Sequence, residues 1–290
     1  MIQVGQRIKM NIPPASLPAQ RLLGKTVLIT GAGGTIGLET ATRMFQEGAN
    51  LSLLDISRLA LDAAVGILTA PYAVQERDAV AKSRILTITA DCTDEAQVEA
   101  CMNETIQKFG RLDCAFLVVG MSYESKSIFD TSIHEYDDLM RWNVKSAFLG
   151  LKHAARVMRN DTDHGFGGSI ILTSSLAGLR GNPGLVVYSG AKFALRGFAV
   201  TAAAELGPLG IRVNTIHPSG IEESSMFQAT WKNGGGDAVD DKLEALRRAT
   251  PLGRLARADD VSGVVAFLAS DDSKFVTGGF IKIDGGSVTF

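Results

Sequence analysis

The chain has 290 residues, of which 46% are apolar and 21% charged, and its formal net charge is −2. That length suits one large α/β domain or two small ones, and a near-neutral balance without a basic stripe argues against a nucleic-acid partner. No apolar run approaches the roughly 20 residues of a membrane span, and neither the three cysteines nor the four scattered histidines show metal-ligand spacing. Reduced thiols, no metal and no membrane partner are the expectation.

In chain order, the first 23 residues carry Arg7, Lys9 and Arg21, no acids, and the proline-bearing stretch IPPASLP. They lack the apolar core of about 7–15 residues that a signal peptide needs. We expect a loose arm over 1–23 on a cytoplasmic protein, followed by a single domain over 24–290. Strand-like apolar runs follow at TVLIT (26–30), LSLLD (51–55), ILTITAD (85–91), CAFLVVG (114–120), GSIILTSS (168–175), IRVNTIHP (211–218) and FIKID (280–284). Helical periodicity fills the gaps at 36–49, 95–110, 136–159 and 186–206. Strands alternating with helices give a parallel sheet covered on both faces, wound right-handedly, with ligands at the carboxyl ends of the strands. The fold class expected is therefore α/β: a single doubly wound, Rossmann-like domain with a central seven-stranded parallel sheet. Residues 66–84 make a long connection that reads as an added surface turn or helix. Residues 219–250 combine glycines with amphipathic pieces and stand where a flap would close over a site.

After the first strand comes TGAGGTIG (30–37), with glycines at 31, 33, 34 and 37. Strand, glycine-rich turn and helix is the context of a phosphate cradle, in which backbone N–H groups and the helix N-terminus face a pyrophosphate. A plain tight turn fits the same residues. Asp55 ends the second strand 18 residues past Gly37. An acid there bonds the adenosine ribose hydroxyls and repels a 2′-phosphate, which favours NAD over NADP, although Asp is also a common helix cap.

Further on, Ser175 ends a strand, Tyr188 follows 13 residues later, and Lys192 lies four residues beyond it. That last spacing puts phenol and amine one turn apart on one helix face. An ammonium beside a phenol is expected to lower the phenol pKa, making Tyr188 a general acid/base for an alcohol or ketone, with Ser175 holding the same oxygen. A snorkelling surface pair is the plainer alternative for Tyr188 and Lys192 alone.

TGAGGTIG, Asp55, Asn143-Val144-Lys145, SSLAGLRGNPGLVVYSGAK and FLASDDSKFVTGGFIKIDGG together resemble a short-chain dehydrogenase/reductase of the simpler, non-extended branch, over roughly residues 24–286. The resemblance implies Tyr188 as general acid/base, Lys192 lowering its pKa and holding the nicotinamide ribose, and Ser175 positioning the substrate. It implies Asn143 as the holder of a water in a proton relay. Cofactor contacts would come from Gly31, Gly34, Thr35, Ile36, Gly37, Asp55, Asp91, Cys92, Val118, Gly120, Tyr188, Lys192, Pro218, Gly220 and Ile221. Two departures stand out. Thr35 replaces the middle glycine of T-G-x-x-x-G-x-G, while Gly31, Gly34 and Gly37 give the spacing of the extended branch. Leu117-Val118-Val119-Gly120 replaces the usual N-N-A-G.

The substrate side is expected to be mainly apolar, formed by Met121-Ser122-Tyr123, the segment Leu179–Val187, and Met226, Phe227 and Trp231 of the flap. That lining suits a hydrophobic secondary alcohol or ketone of terpenoid, steroid or polyketide type. A non-catalytic NAD-binding regulator and an extended-type nucleotide-sugar epimerase are the alternatives. By resemblance the protein forms a dimer or tetramer through helices 136–159 and 186–206.

Overall fold

In a computed structural model of the chain, the described residues are 20–159, 167–232 and 237–288, without the side chains of 229–242. Residues 1–19 of the expected arm and the Trp231 side chain lie outside them. The elements run β1 (Thr26–Thr30), α1 (Thr35–Gln46), β2 (Asn50–Asp55), α2 (Arg58–Thr69), α3 (Arg77–Arg84), β3 (Ile85–Thr89), α4 (Glu95–Phe109), β4 (Cys114–Leu117) and α5 (Ile133–Met140). They continue with α6 (Ser146–Met158), β5 (Gly168–Thr173), α7 (Val186–Leu206), β6 (Ile211–Pro218), α8 (Ser225–Lys232), α9 (Asp237–Ala249), α10 (Ala258–Ala269) and β7 (Phe280–Ile283).

All seven strands pair in parallel in the order β3-β2-β1-β4-β5-β6-β7. Side chains alternate between the two faces, as the pleat requires. Val27 and Ile29 pack with Met44 and Phe45 of α1, Leu61 of α2 and Val261 and Val265 of α10, whereas Leu28 packs with Met102 of α4 and Leu195 and Ala199 of α7. Strand order reverses between β1 and β4, and a crevice opens there at the carboxyl ends. The molecule is the single Rossmann-like α/β domain that the alternation of runs implies.

Boundaries shift in three places. Strands β3, β4 and β5 stop before the apolar runs do, because Ala90, Val118, Val119 and Gly120 leave the ladder to line the crevice. The 66–84 connection is the end of α2 followed by α3, whose last residue, Arg84, donates to the carbonyls of Phe45 (2.9 Å) and Ala49 (2.7 Å) below α1. The expected helix 136–159 is two helices. It starts earlier, at a capping box between Ser132 and Glu135, and is interrupted by a π-helical turn at Arg141–Lys145. Buried Asn143 sits in that turn, and its amide donates to Leu139 O at 3.0 Å, occupying a carbonyl of the helix ladder.

The start of the fold reaches into the sequence assigned to the arm. Leu22 is buried in the core, and Arg21 pairs with Glu47 through Nε and Nη2, both at 2.8 Å. Arg43 holds the same carboxylate at 2.5 Å, and the Glu47 side chain is fully buried. Burial pushes the Glu47 pKa up, but the two guanidinium groups outweigh it and hold it below the usual range. Because the folded pKa is depressed, this stabilisation is complete above the unfolded glutamate pKa and is lost as pH falls through the folded one. Glu47→Gln should lower the unfolding free energy at neutral pH by about 1–3 kcal/mol and flatten the acid limb of the stability curve. Urea unfolding across pH checks both.

Candidate active site

The glycine-rich turn forms one wall of the crevice. Gly31 takes a φ of +64°, a Cβ on Gly37 would lie 2.2 Å from Gly31 O, and one on Gly33 would lie 2.4 Å from Ala60 Cβ. The backbone thus comes closer to itself than any side chain permits. Helix α1 begins at Gly34 with no side-chain cap and no acid in its first turn. Its leading N–H groups therefore lack the usual side-chain acceptor and favour an anion. Asp55 closes this wall: Oδ2 accepts from Gly33 N at 2.9 Å and Oδ1 from Ser57 N at 3.0 Å.

The cavity over this turn measures about 350 Å³ and is lined by Gly31, Gly34, Thr35, Ile36, Gly37, Asp55, Cys92, Val118 and Gly120 of the expected set. Ile56, Trp142 and Met226 line it as well. Sequence reasoning passed over Trp142, whose one signal was adjacency to Asn143 in a helix that periodicity treats as regular. In place of asparagines, Val118 N donates to Thr30 Oγ1 at 3.1 Å, and the Val118 and Val119 side chains pack against Gly31.

Other expected contacts stand at the margin. The Asp91 carboxylate accepts from Thr93 N and Oγ1, both at 2.7 Å, and lies 3.8 Å from Arg141. Pro218 ends β6 in register with Ile283. Gly220 lies against the Phe227 ring, and buried Ile221 bridges to Ala256. None of Asp91, Pro218, Gly220 and Ile221 lines the cavity.

The remaining set comes together. Ser175 follows β5, and Tyr188 and Lys192 share one face of α7, which brings Ser175 near enough to Tyr188 to pull its pKa down. Ser175 Oγ accepts from Ala177 N at 3.2 Å, which leaves its own proton free to donate. Lys192 is 3% exposed, and its Nζ donates to Thr173 O at 3.0 Å and lies 5.5 Å from the Tyr188 ring centroid. A Cβ on Gly120 would lie 2.7 Å from Asn143 Oδ1 and 3.1 Å from Lys192 Nζ, so the cofactor wall abuts both groups directly. The Asn143 amide donates to Met121 O at 2.9 Å, and Met121 N donates back to Oδ1 at 3.3 Å.

One electrostatic expectation is corrected. Burial pushes the Tyr188 pKa up rather than down, and the group pulling it back is Ser175. Lys192 is itself pulled down to about 8 by burial, and its ammonium is turned to the Thr173 carbonyl and the ring face instead of the phenol oxygen. The amine is therefore a buried cation mostly protonated at neutral pH, poised for a further hydrogen-bond acceptor.

The substrate side is more polar than its apolar residues suggest. A narrow cleft at Tyr188 is lined by Leu139 and Leu185–Val187, but also by Ser122, Tyr123, Glu124, Lys126, Thr131 and Glu135. Lys126 pairs with Glu135, whose carboxyl is held down at about 2 by that lysine and by Ser132. The Tyr123 hydroxyl donates to Asp138 Oδ2 at 2.7 Å.

Comparison with known proteins agrees with this geometry. The family model described as enoyl-(acyl carrier protein) reductase matches residues 31–288. Levodione reductase of Leifsonia aquatica is 35% identical over 277 residues, covering 93% of this chain and 97% of the relative. Trans-4-hydroxycyclohexanecarboxylate dehydrogenase of Sinomonas cyclohexanicum is 31% identical over 268 residues, covering 92% and 94%. The crystal structure of levodione reductase superposes with a TM-score of 0.82 at 34% identity, covering 91% of this chain and 98% of that one. NAD+-bound xylitol dehydrogenase gives 0.81 at 30% identity, covering 91% and 99%. The chain belongs to the short-chain dehydrogenase/reductase family and is an oxidoreductase of that family. Solved neighbours bind NAD(H) or NADP.

The turn fits such a dinucleotide, since it is a cradle that a Cβ would fill. Gly37→Ala should weaken NADH binding by about tenfold or more and lower the thermal stability as well, because its Cβ would force the Gly31 and Ala32 main chain away. Calorimetric titration alongside circular dichroism checks this.

Proposed function

We propose that the protein is an NAD-preferring dehydrogenase/reductase that interconverts a secondary alcohol and a ketone on a mainly apolar, ring-bearing small molecule. The observation that carries this reading is Tyr188 beside Lys192, whose Nζ lies 5.5 Å from the Tyr188 ring centroid and is buried against Gly120 of the cofactor wall. Ser175 is the neighbour acting on the phenol. In this reading Gly31, Gly34, Thr35, Ile36 and Gly37 hold the pyrophosphate, Asp55 the adenosine ribose, and Lys192 the nicotinamide ribose. The bound nicotinamide supplies hydride chemistry. Tyr188 holds or takes the substrate hydroxyl proton at its phenol oxygen. Ser175 donates to the substrate oxygen and stabilises charge developing there. Asn143 braces Met121 beside Lys192 and holds the relay water.

Leu139, Leu185 and Val187 support an apolar ring in the cleft, while Lys126 and Glu135 suit a polar substituent at its mouth. The likeness to a hydroxycyclohexanecarboxylate dehydrogenase points the same way. Phe227 against Gly220 and Met226 on the cavity wall support 219–250 as the flap. Exposed Phe148 on α6 and Phe193 and Val200 on α7 support self-association into a dimer or tetramer. Three buried free cysteines support a cytoplasmic setting. Among the described residues no helix is long and apolar enough to cross a membrane.

NADH absorbance across a panel of cyclic alcohols, their ketones and open-chain polyols, with both cofactors, tests the reading. We expect turnover of cyclic secondary alcohols with NAD+, and loss of about a thousandfold or more in Tyr188→Phe with NADH affinity nearly unchanged. Absence of turnover throughout the panel, or Tyr188→Phe within about tenfold of the parent, overturns it. Asp55→Ser should raise kcat/KM for NADP by about tenfold, roughly 1.4 kcal/mol, by removing the charge that repels a 2′-phosphate. A parent that already prefers NADP overturns the NAD assignment.

A further inference from the structure

We propose that His217, at the carboxyl end of β6, is a positioning residue for Ser175, acting through the serine main chain and locked in its tautomer by Thr215. This rests on the dehydrogenase reading above. His217 is fully buried, and its Nδ1 lies 2.8 Å from Ser175 O. A carbonyl only accepts, so Nδ1 carries the proton. Nε2 lies 2.8 Å from the Thr215 hydroxyl, which donates to it because that nitrogen of the neutral ring has a free lone pair. The Phe280 ring closes the other side edge-on, with centroids 6.4 Å apart. Burial pulls the imidazole down to about 4, which keeps it neutral and both hydrogen bonds in these roles through the working range.

Ser175 needs such a partner because it stands beyond the last paired residue of β5, in extended conformation. Ser174 N still reaches Ile216 O at 2.9 Å, but the serine that follows has left the ladder. Its carbonyl is gripped from two directions, by Gly178 N at 2.9 Å and by the imidazole, and its hydroxyl by Ala177 N. The Gly178 and Ala177 contacts come from the local turn. Among the described residues His217 alone ties the Ser175 carbonyl to the sheet, and so fixes the height at which the serine hydroxyl meets Tyr188. An apolar residue at 217 would leave Ser175 O short of one donor and free to tilt. The main-chain shift need only be a fraction of an ångström to misalign that hydroxyl.

The test is a mutant cycle, read on the panel compound that the parent turns over fastest and on NADH binding by fluorescence. We expect His217→Ala to lower kcat by about tenfold or more, with KM and the NADH Kd moved less than about twofold. His217→Asn, whose amide can donate to the same carbonyl, should recover most of the loss. On a Ser175→Ala background His217→Ala should change kcat less than about twofold, because its effect passes through the serine. A loss of equal size on both backgrounds, or a single variant within about twofold of the parent, overturns the proposal. If His217→Ala does not fold, Thr215→Val gives the second arm. It keeps the side-chain shape, removes the lock on Nε2, and should lower kcat while shifting the His217 ring nitrogens in 15N NMR; parent-like turnover in that variant overturns the proposal. The parent's own 15N spectrum separates the two readings. A parent silent on the whole panel but with Nδ1 protonated defeats the activity assignment alone, whereas a ring protonated on Nε2 defeats the role given to His217.

Discussion

An ammonium group with almost no contact with water, anchored by the carbonyl of Thr173 where β5 gives out, sets the terms for the rest of the site. Burying a cation is costly unless its donors are met. Here one donor is met by main chain and the neighbouring space is kept small by Gly120, which lets Asn143 and the cofactor wall close in. Helix α7 can deliver that amine only by packing tightly on the turn after β5: Ser174 Oγ donates to Lys192 O at 2.8 Å, and Gly178 lies where any side chain would strike both groups. Sheet, turn and helix are therefore mutually constrained around one charge. Tyr188 receives its place near Ser175 as a consequence.

Much of the scaffold was legible from pattern. β1 and β6 match their apolar runs residue for residue because they are buried along almost their whole length, and α7 spans the expected 186–206 because one face of it stays packed throughout. Legibility failed where a single tertiary hydrogen bond decides. No periodicity announces that the Asn143 amide will take Leu139 O and open a π turn in what reads as one long helix. Spacing alone placed Tyr188 and Lys192 on one face, but it carries no information about where the Nζ hydrogens point. Burial, which spacing does not register, sets the sign of the phenol shift. The polar cleft mouth was likewise hidden, since Lys126 lies in a loop and meets Glu135 only through folding.

The departures from the family pattern have local answers. Where asparagines would brace the middle of the sheet, two valines pack on Gly31 and a main-chain N–H uses the Thr30 hydroxyl. Thr35 occupies the first turn of α1, where it lines the cavity and leaves the Gly31–Gly37 approach untouched. Apolar packing stands there, with one main-chain hydrogen bond, and leaves Ser175, Tyr188 and Lys192 untouched.

The uncapped start of α1 carries a consequence for the life of the molecule. Leading N–H groups without a side-chain acceptor are a standing weakness in the helix that packs most closely on α10. An anion that satisfies them binds only the native state, so its free concentration enters directly into how much chain is folded at any moment. Occupancy of this one helix end and the stability of the whole chain are then linked, whatever anion fills it.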